Sequence, residues 1–246
     1  MSLSKERSLV GFVLVVTSFL LYVVHYFVFH NTHDILFYLL FNLAFIPINV
    51  LVVTLIIDKL LSERERRDRM EKLNMVIGVF FSEVGTPLLI YLSDSDPNLE
   101  TMRKDLIVTA DWTETEFGRI SDLLKKYPFK TNIQLINLEN LGSFLGKEKN
   151  FLLRLLENPL LLEHETFTEL LRAVFHLTEE LVYRNNLTGL SENDLVHLTG
   201  DLNRVYFHLV HEWVAYMKHL KNNYPYLFSL AMRTNPFDQT ASPFFK

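Results

Sequence analysis

Apolar and polar residues are unevenly distributed along the chain, and the first 60 positions hold two long apolar runs. The runs, at about residues 8–29 and 35–57, contain no Asp, Glu, Lys or Arg. About 20 apolar residues at a rise of ~1.5 Å each cross the ~30 Å hydrocarbon core of a bilayer. The pattern therefore predicts two membrane-spanning helices, which together form a transmembrane hairpin over residues 1–60.

The connection between the two runs is short, and the charges around it indicate an orientation. Only residues 30–34 join the runs, so we expect the spans to be antiparallel. This connection lacks Lys and Arg, whereas Lys5 and Arg7 precede the first span and a basic segment follows the second. Because positively charged flanking residues stay on the inner side, we expect a cell-membrane protein with both termini in the cytoplasm.

A few polar residues interrupt the spans. Asn42 and Asn49 are seven residues apart, so they share one face of the second span. Pro47 lies between them, removes a backbone N–H and is expected to kink the helix. His25 is ionisable and lies near the outer end of the first span. These residues are interpreted either as groups that hold helices together in lipid or as a polar path through an oligomer.

Residues 58–86 are predicted to form a charged helical neck followed by an apolar helix. Acids and bases alternate in the neck, with several acids four residues before a base, an order that favours a solvated helix. The apolar stretch Leu73–Phe81 has no polar face, so we expect its own domain or a neighbouring subunit to bury it. Gly85 and Pro87 are expected to end that helix. The alternative use of the neck is contact with anionic lipid headgroups, through Lys59, Arg64, Arg66, Arg67 and Arg69.

The remaining chain predicts a mostly helical cytoplasmic domain over residues 87–233 and a C-terminal tail over residues 234–246. Apolar residues recur at helical spacing over residues 165–184 and again from Ser191 to about residue 221, which predicts two long helices. Because strand patterns do not alternate with these helices, the predicted fold class is all-α, a two-span hairpin followed by a helical domain.

Two shorter stretches leave alternatives open. Residues 138–157 predict either one interrupted helix or two, because Gly142 and Gly146 fall inside the pattern. Residues 131–138 are compatible with a short strand, although no neighbouring segment offers a partner strand.

Composition excludes more functions than it indicates. The chain has 246 residues and a net charge of −5, and its basic residues form no long stripe, so nucleic acid is not an expected partner. The absence of cysteine excludes disulfides, thiolate metal sites and a cysteine nucleophile. The sequence also lacks a P-loop, a dinucleotide-binding fingerprint and an HExxH motif.

The strongest candidate chemistry lies in polar stripes along the two long helices. The stripe residues are Glu165, Glu169, Arg172, His176 and Glu180 in the first helix, and His197, Asp201, Arg204, His208, His211, Glu212 and His219 in the second. If the stripes face each other, imidazoles and carboxylates can bind a divalent metal such as zinc, iron or manganese. The predicted ligands are His176, His208, His211 and Glu212. The alternatives are a solvated, salt-bridged face and a polar network between subunits.

Three functional hypotheses follow from the sequence. The leading one is a non-enzymatic, oligomeric scaffold or partner-binding module that the hairpin anchors in a lipid bilayer, with its own copies or a cytoplasmic protein as partners. The second is an oligomeric channel or conduit lined by the second span. The third is a membrane-bound metalloenzyme that uses the His/Glu cluster of the C-terminal helices.

Overall fold

The computed structural model describes residues 3–30, 32–184 and 186–244, and it divides into two compact units, Met1–Arg66 and Arg67–Lys246. The described residues contain no strand, so the prediction of an all-α chain is confirmed. The helices are α1 (Leu3–Phe29), α2 (Thr32–Phe80), α3 (Thr86–Ser93), α4 (Glu100–Arg103), α5 (Glu114–Leu124), α6 (Leu138–Leu156), α7 (Glu165–Tyr183), α8 (Glu192–Asn223) and α9 (Pro225–Arg233).

The first unit consists of α1 and the first half of α2. Both helices are long and apolar enough, by length and composition, to cross a membrane, and neither buries its most apolar window inside the protein. His30 follows α1 with a positive φ of 50°, and its backbone N–H donates to the carbonyl of Tyr26 at 2.9 Å. Pro47 lies inside α2, which continues on both sides of it.

Beyond α2 the chain stays helical, so the expected helix end at Gly85 and Pro87 is wrong. Phe81–Gly85 forms a π-helical turn that leads directly into α3. The wider turn accommodates Pro87, whose ring would otherwise meet the carbonyl four residues back. Gly85 is required for space, because a Cβ there would lie 2.6 Å from Cδ1 of Phe81 and 2.9 Å from Cε1 of Phe80.

The second unit is built around α8, which is 32 residues long and therefore spans about 48 Å. Helices α3, α5, α7 and α9 all pack against it. Its buried side chains recur every three or four positions, so one continuous stripe is available to several partners. The core members of this stripe are Leu198, Leu202, Val205, Leu209, Trp213, Met217 and Leu220.

Residues 138–157 form one helix, α6, and its two glycines allow close packing instead of breaking it. Both glycines face α7 and the segment that follows it. A Cβ at Gly142 would lie 3.1 Å from Cδ1 of Leu187, and one at Gly146 would lie 3.3 Å from Cγ2 of Val182. The helix therefore keeps a smooth face against α7, and the glycines contribute to packing.

The stretch 131–138 contains a 3-10 turn at Ile133–Leu135 in place of the strand considered above. Its backbone finds a side-chain partner on α8: the N–H of Thr131 donates to Oδ1 of Asn203 at 2.7 Å, and the Thr131 hydroxyl donates to the same atom at 3.0 Å. A segment that pairs with a helix side chain needs no neighbouring strand.

Phe167 connects α7 to the end of α2, because its ring lies edge-to-face with Phe80 at a centroid distance of 5.3 Å and both side chains are fully buried. We expect Phe167→Ala to lower the free energy of unfolding of the full-length protein by about 3–5 kcal/mol, since it creates a cavity between two elements. Chemical denaturation in detergent measures this loss. Val196→Ala, at a position that is 68% exposed, is the matched control and should change stability by less than about 0.5 kcal/mol.

Candidate functional site

The polar stripes of α7 and α8 face each other, and local capping helps to set the start of each helix. The Nδ1 atom of His164 accepts the N–H of Phe167 at 3.2 Å at the start of α7. The hydroxyl of Ser191 accepts the N–H of Asp194 at 3.2 Å at the start of α8. A short connection between helices favours antiparallel packing, which brings the second half of α7 beside the first turns of α8.

Four side chains converge where the stripes meet: His176 and Glu180 from α7, and His197 and Asp201 from α8. Oδ2 of Asp201 lies 3.3 Å from Nε2 of His197 and 3.5 Å from Nε2 of His176. Nε2 of His197 lies 3.4 Å from Oε2 of Glu180, and Nε2 of His176 lies 4.0 Å from Oε1 of Glu180. On each helix the histidine and the carboxylate are four residues apart, so the two side chains share one face. We call these four residues the His/carboxylate cluster.

Asp201 is the buried base of the cluster. Its side chain is only 4% exposed, whereas those of His176 and His197 are 46% and 51% exposed. Oδ1 of Asp201 accepts a hydrogen bond from Nη1 of Arg204 at 3.0 Å. Oδ2, which points to the two imidazoles, has no hydrogen-bond partner among the described residues. One oxygen is therefore held in place by an arginine and the other is directed into the cluster.

Glu180 is held from the other side by Arg184, which follows the last residue of α7. The Arg184 guanidinium donates to the Glu180 carboxylate, and this contact holds the pKa of Glu180 below its usual range. Nη2 of Arg184 also reaches Oδ1 of Asp194 at 3.4 Å, so the guanidinium connects the end of α7 to the first turn of α8.

This arrangement permits two kinds of chemistry. Protonated imidazoles can form ion pairs with the two carboxylates, or neutral imidazoles can join the carboxylates in holding a cation. Within the described part of the chain, His176, His197 and Asp201 are the group of histidines and acids whose ligand atoms converge, all within 4.8 Å of one another.

Of the four metal ligands predicted from the sequence, the structure brings one into the converging group. His176 belongs to the converging group, but His208, His211 and Glu212 do not. Residues 208–212 lie 11 or more positions beyond His197, about 16 Å along α8, and antiparallel packing brings His176 to the start of that helix.

The three residues outside the cluster lie in other surroundings. Nδ1 of His211 lies 2.8 Å from the carbonyl oxygen of Phe207, and the two rings are 4.3 Å apart. Glu212 is buried, and partial burial lowers the pKa of His208. The sequence signal that identifies the cluster is the pair of i,i+4 couples, His176/Glu180 and His197/Asp201, one on each helix.

In the first unit, Asn42 and His25 line one cavity between α1 and α2. Its volume is about 350 Å³, and its other lining residues are Ser18, Leu21, Tyr22, Ile35 and Tyr38. Asn49 and Pro47 lie further along α2 and do not line this cavity. Of the two asparagines, Asn42 therefore lines this cavity and Asn49 does not.

The basic side chains of the neck belong to the single helix α2. Lys59, Arg64, Arg66 and Arg67 are exposed to solvent, and Arg69 is partly buried. Contact with lipid headgroups remains a prediction for this set.

Comparison with known proteins relates both parts of the chain to one group of helical proteins. A family model described as "Uncharacterized protein MJ1433, C-terminal helical domain" matches residues 69–233, and one described as "MJ1433, N-terminal helical domain" matches residues 2–61. The chain belongs to the MJ1433 family.

A relative within this family covers nearly the whole chain. "Uncharacterized protein MJ1433" of Methanocaldococcus jannaschii is 46% identical over 230 residues, which are 94% of this chain and 92% of the relative. No solved structure matches the chain. The family assignment therefore supports the helical fold, and the function has to be argued from geometry.

Because of the Arg184–Glu180 contact, we expect part of the free energy of unfolding to depend on pH. A carboxylate whose pKa is lowered by folding contributes stability above its unfolded pKa, and loses that contribution as the pH falls through the folded pKa. We expect Arg184→Gln to reduce the free energy of unfolding by up to about 1 kcal/mol at pH 7, and the difference from the wild type to narrow at pH 3. Urea denaturation at both pH values measures this.

Arg172→Gln is the matched control, because Arg172 forms an exposed pair with Glu169 three residues away on the same helix. Its effect should stay below about 0.5 kcal/mol at pH 7. A difference for Arg184→Gln that is the same at pH 7 and pH 3 would contradict the argument.

Proposed function

We propose that this protein is a bilayer-anchored assembly module, in which α1 and the first half of α2 span the membrane as a hairpin. The observation that carries the proposal is that the most apolar windows of both helices contain no residue buried inside the protein. Large apolar side chains project all around both helices, among them Phe12, Phe19, Phe27, Phe41 and Leu55. Lipid is the environment in which a helix with apolar residues on every face is stable.

The charges that flank the hairpin support a cytoplasmic location for both termini and the helical domain. Lys5 and Arg7 precede the first apolar segment, and Lys59 and Arg64 follow the second, whereas residues 30–34 carry neither Lys nor Arg. The connection is also too short to form an outer binding domain. The activity of this protein is therefore proposed to lie in the helical domain and in contacts between hairpins.

The proposed activity is assembly with further copies of the chain. The last turns of α2 bury Leu73, Ile77 and Phe80 in the domain. Met75 on the same turns is 57% exposed, and Val79 is 50% exposed. These two residues line a mostly apolar groove together with Gly78, Tyr216, Leu220, Tyr226 and Leu227, and the groove also contains Glu83 and His219. The sequence predicts that either its own domain or a neighbouring subunit buries Leu73–Phe81. The domain buries one side of this segment, and we assign the other side to a second copy.

Anchoring favours a second copy as the occupant of this groove. Every copy held in a bilayer is confined to two dimensions with the same orientation, which raises the effective concentration of one groove for another. A small apolar patch then suffices for association.

The membrane proposal is tested by fractionation of cells that express the full-length protein. We expect the protein to remain in the membrane pellet after washing with alkaline carbonate, and a chain lacking residues 1–60 to move to the soluble fraction. Cleavage of a signal sequence would remove the first helix, so mass spectrometry of the membrane-bound protein distinguishes a retained span. Release of the full-length protein by carbonate would refute integral insertion.

The assembly proposal is tested by native mass spectrometry of the full-length protein in mild detergent. We expect a discrete oligomer, and a shift to smaller species when Met75→Lys and Val79→Lys are combined, because two charges then lie in the apolar groove. Leu135→Lys is the matched control, since Leu135 is 65% exposed outside the groove. A monomeric wild-type protein would overturn the proposal, and a ring of four or more copies would make α2 a candidate channel wall.

A further inference from the structure

We propose that the His/carboxylate cluster of His176, Glu180, His197 and Asp201 binds one divalent transition-metal ion of the zinc class. The separations between donor atoms support this. Two ligands bonded to a tetrahedral ion at about 2.0–2.1 Å lie about 3.3–3.4 Å from each other. Three of the four imidazole–carboxylate distances in the cluster are 3.3, 3.4 and 3.5 Å, and the fourth, from His176 to Glu180, is 4.0 Å.

The same separations are longer than those of well-formed hydrogen bonds between charged groups. A charge-assisted N–H···O bond is about 2.7–2.9 Å long. Arg204 and Asp201 form a contact of 3.0 Å in the same site, so shorter contacts are attainable there. The imidazole nitrogens, in contrast, stand 3.3 Å or more from each carboxylate oxygen. These distances leave room for a cation between the groups.

The buried oxygen of Asp201 is an independent observation that points to a ligand. A carboxylate removed from water loses its hydration, and this loss is costly unless the protein or a ligand replaces it. The protein satisfies Oδ1 through Arg204, but Oδ2 forms no hydrogen bond among the described residues, and its nearest polar neighbours are the imidazole nitrogens of His197 and His176 at 3.3 and 3.5 Å. A cation coordinated by Oδ2 compensates for the lost hydration.

The arginines around the cluster orient its ligands. Arg204 fixes Oδ1 of Asp201, and Arg184 holds Glu180, so both carboxylates are positioned before any ion binds. Outer hydrogen bonds of this kind are a regular part of metal sites. The two carboxylate charges also balance a divalent cation.

The donor set indicates the class of ion. Two imidazoles and two carboxylates suit zinc, cobalt, manganese or iron, whereas calcium and magnesium prefer oxygen donors alone. The ligand atoms of His176, His197 and Asp201 converge within 4.8 Å, and Glu180 as a fourth ligand would complete a tetrahedral sphere, which is the arrangement of structural metal sites. The bound ion would therefore connect α7 to α8, two ligands from each helix.

The test uses the full-length protein in detergent, first stripped with a chelator and then titrated with zinc at pH 7.5. We expect one ion per chain by calorimetry, a rise in Tm of about 5–10 °C at 100 times the Kd, and no competition from excess magnesium. Cobalt provides a second readout, since a tetrahedral site with nitrogen and oxygen donors gives a visible absorption spectrum that zinc abolishes.

His176→Ala and His197→Ala are the decisive variants, because both side chains are about half exposed and their loss leaves the core intact. We expect each to weaken zinc binding about 100-fold or more and to remove the cobalt spectrum. His208→Ala is the matched control on α8 and should bind zinc as the wild type does. Failure of the wild type to bind zinc stoichiometrically, or wild-type affinity in both cluster variants, would overturn the proposal.

Discussion

The packing of several helices against one stripe of α8 is the constraint on which the second unit depends. A helix about 48 Å long with a buried residue every three or four positions offers a continuous apolar surface. Helices α3, α5, α7 and α9 use different stretches of it. Because the stripe fixes the rotation of α8 about its axis, it also fixes which residues face outward beside α7. Asp201 lies at the edge of that stripe, which explains how a carboxylate can be buried next to two exposed imidazoles.

A second constraint acts on α2, whose side-chain chemistry changes along one continuous helix. Its first part is apolar on all faces, its middle is charged, and its last turns are buried on one side by the domain. Helical backbone satisfies its own hydrogen bonds in every one of these settings, so the helix can pass through them without a loop. The π-helical turn and α3 extend this continuity to Ser93. The proposed function accounts for the apolar faces of α2 that the domain leaves exposed.

Much of the fold was predictable from periodicity, because long amphipathic helices carry their own signal. The helices α7 and α8 begin and end within a few residues of their predicted limits. Predictions that depended on single residues fared less well. Gly85, Gly142 and Gly146 suggest helix ends in a sequence, yet each leaves room for a neighbouring side chain whose position depends on tertiary packing. The hairpin, its orientation and the oligomer stay predictions.

The cluster likewise depends on tertiary packing that the spacing of residues within one helix does not predict. The sequence places His176, His197 and Asp201 on polar stripes, but the spacing within one helix cannot say which turn of α8 lies opposite a given turn of α7. His208, His211 and Glu212 are closer together in sequence and were therefore the more obvious set. The antiparallel register instead brings His176 close to His197 and Asp201, because it aligns the end of α7 with the start of α8.

This register also determines what a ligand at the cluster would act on. The cluster lies beside the connection between α7 and α8, where Arg184 already joins the end of one helix to Asp194 in the first turn of the other. An ion held by two residues of each helix would tighten the same junction through coordinate bonds instead of exposed ion pairs. Since α8 carries the packing surface for four other helices, a restraint on its first turns affects the element on which the domain is built. Metal binding there would therefore act on the stability of the whole domain, without any need for a substrate pocket or a reactive group.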